Sequence, residues 1–311
     1  RYKIRKYFIM NHRRDEGDYI NSKLLGIQYP LLDDYQRMML NEIEDKLDNF
    51  EKIVKSSVTN YKDLFANGII ISGAPGTGKT YSIKKWLNEL TNEGYIDGFN
   101  EFSGKISPVT LFKVLKEVST GDDNKVMLLD DVDVFDKPDS LNILKAALNT
   151  ATDSTSAKGF RTVSYGTKGS VDSFEFKSFL IMITNETFTN LDGNIREHIS
   201  AVLDRVHLMS VTLTPEDMMI KNLSIVEKFF NESNGLSDKI KDQLIYLFNT
   251  EIRELIDYNC FQNCRINLSV RFFMKLYDLQ VLFGNSWRDF SAEYKRLKLD
   301  LMKQKSLEVE K

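Results

Sequence analysis

The segment GAPGTGKT at residues 73–80 has the residue types that a phosphate-binding loop needs. It matches the pattern G-x-x-x-x-G-K-[ST] through Gly73, Gly78, Lys79 and Thr80. Its glycines let successive backbone N–H groups curl around an anion, and the helix that follows adds the positive end of its dipole. We therefore expect this loop to cradle the phosphates of a nucleotide.

Each side chain of the loop has a predicted role. Lys79 should reach the β- and γ-phosphates of ATP, and the Thr80 hydroxyl should ligate Mg²⁺. ATP and Mg²⁺ are therefore the expected ligands. The residues predicted to contact the nucleotide are Gly73, Ala74, Pro75, Gly76, Thr77, Gly78, Lys79, Thr80 and Tyr81.

A second motif, LLDD, is an apolar run that stops on two adjacent carboxylates, Asp130 and Asp131. In P-loop proteins such a strand is expected beside the first strand, with a carboxylate in the magnesium shell. Ligands of parallel sheets lie at the carboxyl ends of the strands. Asp130 is thus the predicted metal-side carboxylate, and Asp131 is placed to polarise the attacking water. The alternative for Asp131 is a solvated acid or a helix cap.

Apolar strands alternate with amphipathic helices around these motifs. The predicted strands are 68–72, 125–129, 179–184 and 206–213, and the predicted helices are 31–57, 80–90, one opening at Ser107–Pro108, and 140–151. Strands separated by helices predict an α/β fold, with a parallel sheet core covered by helices on both faces.

The pattern changes at Thr214, a predicted N-cap followed by Pro215 at the first helical position. The rest reads as helices at 215–232, 237–256, 269–284 and 287–306, which predicts a small all-helical lid domain. We expect three parts: an arm and helix at 1–57, the nucleotide-binding core at 58–212, and the helical lid and tail at 213–311.

Composition narrows the class of protein. The 311 residues include 42 Lys+Arg and 45 Asp+Glu, and this net charge of -3 argues against wholesale nucleic-acid binding. No apolar run approaches a membrane span, so we expect no membrane contact. The basic arm at 1–20 is interpreted as a solvated or strand-like segment, with phosphates or an acidic partner as the alternative.

The two cysteines, Cys260 and Cys264, are four residues apart, and the three histidines are scattered. Metal ligation would need more Cys or His close by. We interpret the pair as reduced thiols on one helix face, which favours a cytoplasmic location.

With these motifs, the chain resembles the AAA+ ATPases over about residues 60–285. FLIMITNE ends in Asn185, which matches the polar sensor 1 residue that helps hold water near the γ-phosphate. ISAVLDRVHLM places Arg205 where the family has the arginine finger that reaches a neighbouring subunit's site, and Arg196 is the alternative. NLSVRFFMKL puts Arg271 where the family has sensor 2.

The alternation around GTKG, in FRTVSYGTKGSVDSFEF, predicts a β-hairpin with Lys168 at its tip. A hairpin before sensor 1 resembles the pre-sensor 1 hairpin branch, which includes superfamily 3 viral helicases, although GAPGTGKT and the lid look more like general AAA+ proteins. The tract SGKIS at 103–107 contains Lys105 and lacks the aromatic–hydrophobic pair of protein unfoldases. The overall style is similar to AAA ATPases of large DNA phages.

The resemblance implies a homo-oligomeric, hexameric ring that couples ATP hydrolysis to remodelling or translocation of a protein or nucleic-acid polymer. Asp131 is one methylene shorter than the family's usual glutamate, so we expect hydrolysis to survive but to be slow. One alternative is a nucleic-acid motor with Lys168 and Lys105 lining a pore for DNA. The other is a non-hydrolysing, ATP-dependent assembly scaffold.

Overall fold

The structure is a computed structural model that describes residues 32–120, 124–149, 161–167, 170–186, 188, 193–232 and isolated positions between 275 and 299. Its described part divides into two compact units. One contains residues 32–46 and 213–232, and the other contains the described residues between 47 and 212. The predicted division into parts 1–57, 58–212 and 213–311 stays a prediction.

The described elements alternate along the chain as the apolar pattern predicts. The strands are β1 (Gly68–Gly73), β2 (Gly98–Ser103), β3 (Lys125–Asp130), β4 (Arg161–Thr167), β5 (Ser170–Phe176), β6 (Phe179–Thr184) and β7 (His207–Val211). The helices are α1 (Asp34–Thr59), α2 (Lys79–Asn92), α3 (Pro108–Val118), α4 (Pro138–Ala147), α5 (Gly193–Leu203) and α6 (Pro215–Glu232), with a short 3-10 turn at Tyr61–Asp63.

Five of these strands form one sheet in the order β2-β3-β6-β1-β7, and all its pairings are parallel. This order corrects one expectation, because β3 does not lie beside β1. The strand that leads to Asn185, β6, lies between them, with Ile69 paired to Ile181 and Leu128 also paired to Ile181. Apolar periodicity identifies buried strands but contains no information about their lateral order, so the sequence could not supply it.

Both faces of the three central strands, β1, β3 and β6, are buried, which confirms the predicted α/β fold with a parallel sheet core. Ile70, Leu129 and Met182 belong to a core cluster that includes the apolar sides of α3, α4 and α5. Their neighbours along the strands point to the opposite face and are buried as well, as at Ile69 and Ile181. Burial on both sides explains why these strands read as unbroken apolar runs.

β2 was not predicted, because it is an edge strand with exposed polar residues such as Asn100 and Glu101. The predicted start of α3 is confirmed. The Ser107 hydroxyl accepts a hydrogen bond from the Thr110 amide at 3.1 Å, and Pro108 stands at the first helical position.

The predicted hairpin is confirmed as β4 and β5, which pair antiparallel up to Thr167 and Ser170. The ring of Phe112 on α3 packs 5.7 Å from Tyr165 and 5.1 Å from Phe174, so one face of the hairpin joins the core. Lys168, predicted at its tip, lies outside the described residues.

In the unit of residues 32–46 and 213–232, one contact joins α1 to α6 and a second caps the start of α6. Arg37 binds Glu227 through two hydrogen bonds of 3.0 and 2.9 Å. At the start of α6, Thr214 and Asp217 bond each other's backbone amides at 2.9 and 3.1 Å, which is the capping-box arrangement expected of an N-cap.

The predicted helices 237–256, 269–284 and 287–306 lie largely outside the described residues, so the helical lid stays a prediction. The same holds for the two cysteines and for the arm at 1–20. Among the described helices, we find none with the length and apolarity needed to cross a bilayer.

Candidate functional site

The candidate site lies at the edge of the sheet where β1, β6 and β3 end. Parallel registry places Ser72 opposite Thr184 and Asp130 opposite Ile183, so the three strands end side by side. Gly73 ends β1 and opens the loop, and Asn185 follows β6. The strands thus bring the predicted phosphate loop, acidic pair and sensor residue to one edge, as expected for a ligand site of a parallel sheet.

The loop has the backbone that phosphate binding requires. Gly76 and Gly78 both have φ of 84°, in the left-handed region that glycine adopts without a steric cost, and Gly78 is the N-cap of α2. A Cβ on Gly73 would lie 2.8 Å from the carbonyl oxygen of Val211 on β7, so the loop can leave the sheet there only as glycine. Ala74, like both left-handed glycines, is exposed, which leaves this face open to an anion.

Lys79 lies within the loop and is 8% exposed. Its ammonium donates to the carbonyls of Gly73 at 2.7 Å and Ala74 at 2.9 Å, and to Oδ1 of Asn185 at 3.1 Å. Burial lowers the pKa of Lys79, and the carboxylates of Asp131 and Asp130 act in the opposite direction. A buried cation facing an open anion-binding loop suits a polyphosphate.

Thr80 and Asp130 form the second contact of the site. The Thr80 hydroxyl donates to Oδ1 of Asp130 at 2.8 Å, and Asp130 is 8% exposed. Mg²⁺ takes hard oxygen ligands and keeps several water or phosphate oxygens rather than a full protein cage. A hydroxyl and a carboxylate in contact fit that demand, and the described residues contain no larger His, Cys, Asp or Glu group with metal-binding geometry.

Asn185 connects the lysine to the second carboxylate. Its Oδ1 accepts from Lys79, and its Nδ2 donates to Oδ1 of Asp131 at 3.1 Å. The amide has this orientation because an ammonium can only donate and a carboxylate can only accept. Lys79, Asn185 and Asp131 therefore form one hydrogen-bonded chain across the edge of the sheet.

The backbone of Asp131 has a conformation that favours a short acid. Its φ is 52°, and its amide donates to the carbonyl of Ile183 on β6 at 3.0 Å. Asp and Asn enter the left-handed region more readily than longer residues, because their side chains bond locally. Phe188, with φ of 53°, is the other non-glycine residue with positive φ in the described ranges, and both flank the site.

Thr184 is a site residue that the sequence reasoning missed. Its hydroxyl accepts a hydrogen bond from the Glu186 amide at 3.0 Å, which turns the chain directly after β6 and places Asn185 between them. A threonine hydroxyl often accepts a hydrogen bond from the backbone amide two residues later and so forms a turn. A threonine at the end of an apolar strand could therefore have predicted this turn.

The remaining predicted residues lie away from these contacts or outside the described residues. Arg205 precedes His207, which pairs with Ile69 near the start of β1, so Arg205 lies at the opposite edge from the loop of its own chain. Its guanidinium donates to the carbonyl of Ala201, and its buried Nε has no partner among the described atoms. Arg196 is exposed on α5.

Tyr81 is 75% exposed in the first turn of α2, next to the loop. Lys105 is exposed in the tract after β2. Arg271 and Lys168 are not described, so the structure does not place sensor 2 or the tip of the hairpin.

The left-handed backbone of Asp131 leads to a stability prediction. Replacement by Asn should leave the free energy of unfolding nearly unchanged, whereas Glu should lower it by about 1 kcal/mol, because its longer side chain gains less local hydrogen bonding in this conformation. Urea denaturation of the two variants measures the difference. Equal stability of Asp131→Glu and Asp131→Asn would contradict the backbone explanation.

Sequence comparison finds relatives over this region. Residues 69–134, from β1 to the acidic pair, match the family of the viral superfamily 1 RNA helicase core domain. A 36.7 kDa protein encoded in the nrdC-mobD intergenic region of Enterobacteria phage T4 is 29% identical over 273 residues, or 84% of this chain and 80% of the phage protein.

Two further similarities are shorter or more distant. Replication factor C subunit 4 of Saccharomyces cerevisiae is 32% identical over 85 residues, which are 26% of this chain and 24% of the yeast protein. AMPPCP-bound DnaA from Aquifex aeolicus aligns over 84% of this chain and 87% of its own, with 13% identity and a TM-score of 0.35. A structural likeness at that level says nothing about the activity of this chain.

The helicase-family match covers both the loop that holds Lys79 and the strand that ends at Asp130. In the fold these two segments meet at one edge of a parallel sheet. Asn185, which follows the intervening strand β6, is joined to both the lysine and the second acid. The core of the chain therefore has the arrangement of a P-loop nucleotide-binding site.

Proposed function

We propose that this protein is a Mg²⁺-dependent ATP hydrolase. The observation that carries the proposal is the hydrogen-bonded chain from Lys79 through Asn185 to Asp131, beside the contact between Thr80 and Asp130. Lys79 as the phosphate-binding cation, Thr80 and Asp130 as the metal-binding pair, and Asp131 as the carboxylate that contacts the attacking water then lie at one edge of the sheet. Phosphoryl transfer needs this combination, since most of its acceleration comes from positioning and charge stabilisation.

Each residue has a defined part in this proposal. The amides of the loop and the Lys79 ammonium bind the phosphates, and Thr80 with Asp130 hold Mg²⁺. The metal ion supplies positive charge that offsets the charge on the phosphate oxygens. Asp131 accepts a hydrogen bond from the attacking water, and Asn185 orients the Asp131 carboxylate through the bond at 3.1 Å.

A phosphate-release assay with Mg²⁺ and ATP tests hydrolysis. Lys79→Ala should lower kcat/KM about a hundredfold or more, because the phosphates lose their buried cation. Asp131→Asn should retain binding of a fluorescent ATP analogue and lose phosphate release. The matched control is Lys113→Ala, which removes an exposed lysine on α3.

Two results would contradict this proposal in different ways. A wild-type protein that leaves the analogue free at millimolar Mg²⁺ would remove nucleotide binding altogether. Tight binding without phosphate release, with every partner tested, would instead select the ATP-dependent assembly scaffold.

The position of Arg205 supports assembly into a homo-oligomeric ring, for which we propose six subunits. Arg205 lies at the amino edge of β7, and the phosphate loop lies at the carboxyl edge of β1, four residues further along the paired strands. At about 3.3 Å per residue this separation exceeds 10 Å, so Arg205 would complete a site only on a neighbouring copy.

Arg205→Ala should lower the rate of hydrolysis about a thousandfold without weakening binding of the fluorescent analogue, since a finger acts on the transition-state charge. Arg196→Ala, on α5, tests the alternative finger, and Lys113→Ala, on α3, is the matched control. Mixing Arg205→Ala with Lys79→Ala should restore activity, because an intact loop can then meet an intact Arg205 of another copy. Wild-type specific activity that is independent of protein concentration, with no recovery on mixing, would refute the ring.

A nucleic-acid motor is the second candidate function, favoured by the match to a viral helicase core and by the exposed Lys105 next to the site. The proposed substrate is single-stranded DNA, held by Lys105 and by Lys168. The alternative polymer is a protein.

Single-stranded DNA should then stimulate phosphate release, and added salt should reduce that stimulation. Lys105→Ala should weaken DNA binding. It should also reduce, by about 1, the slope of the logarithm of the binding constant against the logarithm of the salt concentration, whereas Lys113→Ala should do neither. Stimulation by a polypeptide with none by any nucleic acid would exclude this candidate.

A further inference from the structure

The loop from Asp131 to Lys137 joins the acidic pair to α4, and it is firmly packed. Val134 and Phe135 are buried in the core cluster. At one end, the Asp131 amide donates to the carbonyl of Ile183 on β6. In its middle, the Phe135 ring meets the Phe188 ring edge to face, with centroids 5.0 Å apart. The loop thus contacts the chain on both sides of Asn185.

Lys137 connects the other end of this loop to a different segment. Its ammonium donates to the carbonyl of Ile106 at 2.7 Å, and makes longer contacts with Asp133, to the carbonyl at 3.3 Å and the carboxylate at 3.5 Å. A short bond from an ammonium to a carbonyl is stronger than a bond between neutral groups. The strong contact of Lys137 is therefore with Ile106, 31 residues earlier in the chain.

The role of Lys137 is not to cap its own helix. Lys137 is the N-cap residue of α4, and its side chain makes no capping hydrogen bond. The partly exposed pair with Asp133 adds little, since water and salt screen ion pairs at the surface. Asp133 also shares a hydrogen bond with the carboxyl group of Asp136, which raises the pKa of Asp136.

Ile106 belongs to the tract Gly104–Ser107, which begins directly after Ser103. Ser103 pairs with Asp130, so the tract leaves the sheet beside the acidic pair. The Ile106 side chain is 1% exposed, whereas Lys105 is exposed. Lys105 is therefore accessible to a partner, whereas the next residue, Ile106, is fixed in the core and bonded to Lys137.

We propose that Lys137 is a positioning residue that links the nucleotide site to the tract Gly104–Ser107, so that the bound nucleotide sets the position of Lys105. The proposal deepens the proposed function and depends on it. A displacement of Asn185 and Asp131 moves the loop from Asp131 to Lys137, because its buried side chains are closely packed and transmit displacement. The bond to Ile106 then carries it to Lys105.

This link acts in both directions. A coupling between two sites changes the affinity at each by the same factor. A polymer that binds Lys105 and holds the tract in one position therefore changes the affinity for nucleotide through the same residue.

Hydrogen exchange of the full-length chain, followed by mass spectrometry, tests the link without knowledge of the polymer. In the wild type, exchange of the Lys105, Ile106 and Ser107 amides should differ about fivefold between Mg²⁺ with a non-hydrolysable ATP analogue and Mg²⁺ with ADP, the factor expected for one ordinary hydrogen bond. Lys137→Met keeps the apolar stem and removes the donor, so the difference should disappear. Lys137→Arg should retain it, and Lys113→Met is the matched control.

Fluorescence binding of the ATP analogue, measured on the same samples, separates the outcomes. If the wild type does not bind, the proposed function fails and the link fails with it. If the wild type binds and the tract exchanges equally with both nucleotides, only the link is refuted. A nucleotide-dependent difference that survives in Lys137→Met, or in Lys137→Leu should the methionine variant not fold, would also refute it.

Discussion

The parallel pairing of β1, β6 and β3 is the constraint on which the candidate site depends. Parallel strands end at the same edge, so the loop after Gly73, the acid at Asp130 and the amide of Asn185 meet although more than a hundred residues separate the first from the last. If β6 or β3 ran antiparallel to β1, the polar group at its carboxyl end would lie at the opposite edge of the sheet. Burial of the apolar strands stabilises this registry, and the registry in turn fixes where the polar residues at the strand ends lie.

Within the site, one buried ammonium organises the polar groups. Lys79 joins two carbonyls of its own loop to Asn185, and Asn185 in turn donates to Asp131. A buried charge is tolerated only when its hydrogen bonds are made, so these contacts offset the cost that lowers the pKa of the lysine. Lys79 therefore takes part both in the proposed binding of phosphate and, through Asn185, in placing the Asp131 carboxylate.

The acidic pair shows how backbone conformation selects a side chain. Asp130 ends a regular strand and is buried against Thr80, whereas Asp131, one residue later, is exposed in the left-handed region. Adjacent residues of the same type therefore have different surroundings and different proposed roles. The positive φ of Asp131 favours a short side chain there, and φ is a quantity that no spacing rule contains.

Much of this arrangement was determined by the sequence alone. Local signals gave the phosphate loop, the cap at Ser107, the hairpin around GTKG and the buried strands, because each depends on residues within a few positions of one another. The tertiary structure decided the order of the strands, the edge strand β2, the left-handed backbone of Asp131 and the bond from Lys137 to Ile106. These depend on which distant segments pack together, and a period of apolar residues specifies that a face is buried without specifying what covers it.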